Sequence, residues 1–167
     1  REMTAMFQNE VKPYLSKFSE KYLVSRNIHV FGIGESTIEN ELHDYMLSMS
    51  NPTIAPYAKE GEVVLRVTAG ADSRQQAQEM LKPVVKELCE RYKKNIYGID
   101  TPTLQDALVE LLVSKGKTIA TAESCTGGLI SKRITEVSGS SEVFGYGICS
   151  YANQAKINIL GVSPETL

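Results

Sequence analysis

Tryptophan is absent from this 167-residue chain, and histidine occurs only twice, at His29 and His43. Two isolated imidazoles make no histidine metal cluster, and each reads as a core or surface residue. Cysteine is scarce too: Cys89, Cys125 and Cys149 are odd in number, far apart and without ligand spacing. That pattern fits free thiols in a reducing cytoplasm better than a disulfide framework. No run of eighteen apolar residues occurs, so no membrane span is expected, and no signal-peptide pattern opens the chain. An excess of either charge is also missing. Lys and Arg number 18 against 20 Asp and Glu, a net charge of −2. The balance is even along the chain, with 13 basic and 14 acidic residues through Asp100, then 5 and 6. A polybasic footprint for nucleic acid is therefore lacking.

What is present suits one ordinary domain or two small ones. Both ends read as cuts in a longer chain. "REMTAMFQNEVKPYL" has the pattern of an amphipathic helix, with Met3, Met6, Phe7 and Val11 on one face and no start or cap before it. At the other end Ser163 and Pro164 announce a helix that three residues cannot complete.

The chain divides near residue 100. Residues 23–34 read as a strand, and "ESTIENELHDYMLSM" as a helix with Ser36 and Glu39 as capping box and Ile38, Leu42, Tyr45, Met46 and Met49 as apolar stripe. "TIAPYAK" and "GEVVLRVTAG" read as strands around a Lys59-Glu60-Gly61 turn. Ser73 to Tyr92 reads as a long helix, kinked or broken at Pro83, and "KNIYGI" closes as a strand. The order β-α-β-β-α-β predicts a small α+β sheet with helices on one face. Gly32-Ile33-Gly34 resembles a phosphate loop but lacks the third glycine of GxGxxG and the Gly-Lys-Ser/Thr of a P-loop. It reads as a tight turn.

After Asp100, Thr101 is the expected cap, Pro102 the first turn and Gly116 the end of a helix burying Leu104, Leu108, Leu111 and Leu112. "KTIATAE" reads as a strand and "TGGLISKRITEVSGS" as a helix with Leu129, Ile130, Ile134 and Val137 inward. "YGICSY" is a second strand and "NQAKINILGV" a second helix. Alternation of strand and helix predicts a parallel or mixed sheet with crossover helices, which holds ligands beyond the carboxyl ends of its strands. Glu123-Ser124-Cys125 stands at one such end and Ser150-Tyr151-Ala152 at another.

A helix opening at Thr126-Gly127-Gly128 offers unpaired N–H groups to an oxyanion or phosphate. A serine just before it, Ser124, can attack a carbonyl if a base takes its proton. No histidine lies in this half of the chain, which leaves Lys156, Glu123 and Tyr151. With Asn153 as cap, Lys156 falls in the first turn of the last helix, where the dipole disfavours a cation and suits a general base. From spacing alone the simpler reading is favoured: Lys156 as a solvated lysine, Tyr151 as a core aromatic and Cys125 as a small packing residue.

Thr-Ala-Glu-Ser-Cys-Thr-Gly-Gly (121–128) and Ser-Tyr-Ala-Asn-Gln-Ala-Lys (150–156) closely resemble the C-terminal domain of the competence/damage-inducible CinA family. That resemblance covers about Leu104 to Leu167. "FGIGES" through "NIYGID" resembles the KH-like domain of the same family, and the first residues resemble the end of its molybdopterin-binding-like domain. The resemblance implies domains at 1–19, 20–99 and 100–167, the last truncated. It implies an α/β (α+β) fold, a βαββαβ KH-like unit followed by part of an αβα domain. It further implies amide hydrolysis of nicotinamide mononucleotide to nicotinate mononucleotide and ammonia, in pyridine nucleotide salvage. Ser124 would be nucleophile and Lys156 base, directly or through Tyr151. Glu123, Cys125, Thr126, Gly127 and Gly128 would hold substrate or its oxyanion, with no cofactor and no metal. A cytoplasmic homo-oligomer is implied for the parent, without membrane attachment. Lack of a Gly-x-x-Gly clamp argues against nucleic acid as partner. The competing expectation is a non-catalytic interaction or oligomerisation module.

Overall fold

A computed structural model describes residues 2–18, 21–59, 61–101 and 103–167. Two compact units divide between Asp100 and Thr101. The first begins with helical residues, α1 (Glu2–Met6), a π-helical turn (Phe7–Val11) and α2 (Lys12–Ser16), in which Met3, Met6 and Phe7 are exposed. Next come β1 (Tyr22–Phe31), α3 (Glu35–Leu47), β2 (Thr53–Lys59), β3 (Glu62–Ala71), α4 (Arg74–Arg91) and β4 (Ile96–Ile99). The sheet is antiparallel in the order β2-β3-β1-β4.

Alternation along the strands sorts its two faces. Ile28 and Val30 pair with Leu65 and Val63 on the face that meets Ile38, Leu42, Leu81 and Leu88 of α3 and α4. His29 and Glu62 fall on the opposite face. There Tyr97 donates to Glu62, and its phenol oxygen lies 3.0 Å from His29 Nδ1. With the phenol proton committed to Glu62, the imidazole is left to donate through Nδ1. Burial pushes the His29 pKa below its ordinary 6.5, although Glu62 pulls it upward.

Two local expectations are corrected. The helix after the Gly32-Gly34 turn starts from Gly34, in extended backbone, with no side-chain cap. Ser36 therefore lies inside α3 and forms no capping box with Glu39; Glu35 instead accepts from the Ala58 N–H. α4 runs from Arg74 to Arg91 through Pro83 without a break, because Ser73 caps it and Leu81, Val84 and Leu88 bury its face. Pro56 sits in β2, an edge strand, where a missing N–H is tolerated. Glu60, in the expected turn after Lys59, lies outside the described residues.

The second unit contains α5 (Leu104–Lys115), β5 (Ile119–Glu123), α6 (Leu129–Thr135), β6 (Phe144–Cys149) and α7 (Asn153–Leu160). β5 and β6 pair in parallel, with α6 in the connection between them. Thr103, not Thr101, caps α5 by accepting from the Asp106 N–H, and Gly116 ends it in left-handed backbone. Pro102 lies outside the described residues. Val109 is the buried residue of α5, whereas Leu104 and Leu111 face outward and Leu108 and Leu112 are half-buried. In α6 only Ile134 is buried, and Leu129 and Ile130 are exposed. Among the described residues no helix is long and apolar enough to cross a membrane.

Candidate active site

Parallel pairing brings the ends of β5 and β6 together: Glu123 stands opposite Cys149, and the Ser150 N–H donates to the Glu123 carbonyl at 2.8 Å. Ser124, one residue past β5, and Tyr151, two past β6, therefore both follow strand ends at the carboxyl edge of the sheet. Beyond β5 the chain makes a turn instead of the expected helix. Gly127 N–H donates to the Ser124 carbonyl, and Leu129 N–H to that of Thr126. Gly127 (φ +60°) and Gly128 (φ +92°) are both left-handed, which delays the helix to Leu129. No carbonyl among the described residues accepts from the N–H groups of Cys125, Thr126 or Gly128.

Glu123 is the most highly bonded side chain here. It is 4% exposed, and both carboxylate oxygens are occupied. Oε2 accepts from Thr126 Oγ1 at 2.8 Å and the Ile130 N–H at 2.9 Å. Oε1 accepts from the Ser131 N–H at 2.8 Å and from the Ser131 hydroxyl. Burial alone would raise the Glu123 pKa, but the Ser131 hydroxyl and amide, the Ile130 amide and the Thr126 hydroxyl hold it down at about 2. So acidic a carboxyl, with no free lone-pair direction toward solvent, is a poor proton acceptor at neutral pH.

Ser124 is half-buried, and Cys125, Thr126 and Gly127 are exposed. Cys125 is thus an open thiol beside the turn, not a packed one. Tyr151 is 77% exposed, so the reading of it as a core aromatic fails. Ala152, not Asn153, precedes the first residue of α7, which places Asn153 inside the helix. Half-buried Lys156 lies one turn in, and its Nζ donates to Asn153 Oδ1 at 3.4 Å. No described hydrogen bond joins Ser124 to Tyr151 or Lys156. Among the described residues, no group of three His, Cys, Asp or Glu could hold a metal ion.

Ser131, Thr121 and Gly147 escaped the sequence reading. Thr121 Oγ1 and Ser131 Oγ are 2.7 Å apart, and a Cβ on Gly147 would fall 2.6 Å and 2.4 Å from them. Only a glycine on β6 fits over that hydroxyl pair. No short-range motif links these three positions; their contacts depend on the parallel pairing.

With this geometry in hand, the match to known proteins is specific. The family description "Damage-inducible protein CinA KH domain" fits residues 25–98, and "CinA C-terminal domain" fits residues 101–167. The chain belongs to the CinA family. A CinA-like protein of Dictyoglomus turgidum is 49% identical over 165 residues, 99% of this chain and 40% of that protein. One from Kosmotoga olearia is 46% identical over 167 residues, again 40% of its length. This chain thus spans about two fifths of the CinA relatives it matches. A solved competence/damage inducible protein from Agrobacterium tumefaciens shares 45% identity, with 38% of this chain and 39% of that chain covered and a TM-score of 0.38.

Proposed function

We propose that the CinA protein carrying this chain hydrolyses the carboxamide of nicotinamide mononucleotide, releasing nicotinate mononucleotide and ammonia. The observation that carries the reading is the junction of two strand ends. Ser124 follows one of them, next to backbone N–H groups that no carbonyl among the described residues accepts from, while Tyr151 follows the other, with Lys156 one turn into the next helix.

Lys156, directly or through the Tyr151 hydroxyl, takes the Ser124 proton as Oγ bonds to the carboxamide carbon. The carbonyl oxygen gains the negative charge, and the N–H groups of Cys125, Thr126 and Gly128 are the donors available to it. Collapse breaks the C–N bond, the lysine proton leaves with ammonia, and an acyl ester on Ser124 remains. Water, deprotonated by the same base, releases nicotinate mononucleotide and restores the serine. A metal has no role in this sequence. The near-neutral charge favours a small-molecule substrate over nucleic acid as partner, and the reaction belongs to cytoplasmic nucleotide salvage.

The test is ammonia release from nicotinamide mononucleotide by the full-length protein and its Ser124→Ala variant. Loss of at least about a thousandfold in kcat, to background, is expected on removal of a nucleophile. An active Ser124→Ala protein rejects the reading.

A further inference from the structure

We infer that Glu123 is a positioning residue that fixes both reactive side chains of the site through one junction, rather than a base or a substrate ligand. The inference rests on the amidase reading for its activity arm. Its basis is connectivity. The Glu123 carbonyl accepts from Ser150, the residue before Tyr151, and so ties down the end of β6. Its carboxylate accepts four hydrogen bonds from Thr126, Ile130 and Ser131, and so ties the start of α6 back to β5. Between these two anchors lie Ser124 and the turn that presents the free N–H groups. With four bonds accepted, the carboxylate has no lone pair to spare for substrate.

The arrangement also decides where an oxyanion can sit. Amides in the first turn of a helix usually stand open to anions. Here those of Ile130 and Ser131 are consumed by Glu123, which confines free donors to the turn at Cys125, Thr126 and Gly128. Gly147 completes the device from below. A methyl there would meet the Ser131 hydroxyl at 2.4 Å and push the anchor away.

The experiment uses the full-length protein with Glu123→Gln. Glutamine keeps the size but turns an NH₂ toward N–H donors. On nicotinamide mononucleotide, kcat is expected to fall between about tenfold and a hundredfold, with KM within about twofold, since displacement by about 1 Å costs that much. Amide exchange should lose protection at Ile130 and Ser131, while Ser150, bonded to the unchanged Glu123 carbonyl, and β5 and β6 keep theirs. Labelling of Ser124 by a fluorophosphonate probe should slow with kcat. Unchanged kcat and labelling despite lost amide protection would overturn the inference. Should the Gln variant fail to fold, Thr126→Val, Ser131→Ala and Gly147→Ala remove or displace single donors. Their kcat values should decline in step, and three wild-type values would overturn it equally. If the wild type releases no ammonia, the amidase reading falls alone. Ser124 labelling then decides: slower in Glu123→Gln supports positioning, and equal rates or an unlabelled wild-type serine reject it.

Discussion

Two neighbouring residues divide the work at the candidate site. Glu123 is buried and saturated with donors, whereas Ser124 next to it is half-open and unengaged by either Tyr151 or Lys156. The difference is one of partners: the Glu123 carboxylate accepts from Ile130 and Ser131 at the start of α6, whereas Ser124 lies just past the end of β5. It has a consequence in acid. The Glu123 pKa is about 2 in the folded chain against an ordinary 4.5, so the unfolded chain binds the proton more readily. Its contribution is complete above pH 4.5 and fades as pH falls from there toward 2. Exchange protection at the Ile130 and Ser131 amides should hold flat from neutral pH to about 5 and then drop through that window. Protection that persists unchanged to pH 2 would contradict the anchor.

Helices show how a sequence pattern and a packed face can part company. α5 offers several leucines at helical spacing, yet the residue that reaches the core is Val109, between Ile134 of α6 and Val143. Periodicity locates an apolar stripe, but which edge of a wide stripe is covered depends on what lies opposite. Val109→Ala should therefore cost about 2 kcal/mol from lost burial and the cavity left behind. Leu111→Ala, on the exposed edge of the same helix, should cost under about 0.5 kcal/mol. Urea denaturation of this chain separates the two, and a larger loss at Leu111 would show that the stripe is buried as its spacing suggests. α4 is the converse. Pro83 predicted an interruption, but four buried side chains and the Ser73 cap outweigh one missing backbone bond.

At the scale of the whole chain, the two units are unequally cored. Fifteen buried apolar residues fill the sheet-helix interface of the first, among the described residues, against three in the second. Stability follows buried apolar area, so residues 101–167 should open at lower urea than residues 21–100. Hydrogen exchange followed by mass spectrometry across a urea series would resolve this. A single shared transition would mean the units unfold as one. Within the CinA family this chain carries the KH domain and the part of the C-terminal domain that holds the Ser124 turn. The candidate site was legible as two short blocks because turn glycines, a serine and a lysine each leave a local mark. The Thr121–Ser131–Gly147 packing left none, since its members lie on different elements.

By itself the sequence determined what is decided over a few residues: the strand and helix segments, the glycine stop after α5 and the glycine turn that follows Ser124. The αβ order also followed from it, because period and punctuation are local properties. Tertiary structure alone decided that Glu123 is an anchor and not a free base, that Tyr151 stands in the open, and that the face of α5 is turned toward Val109. Each of these depends on what a side chain meets across space, in particular on the parallel register of β5 and β6, and no spacing along the chain encodes that encounter.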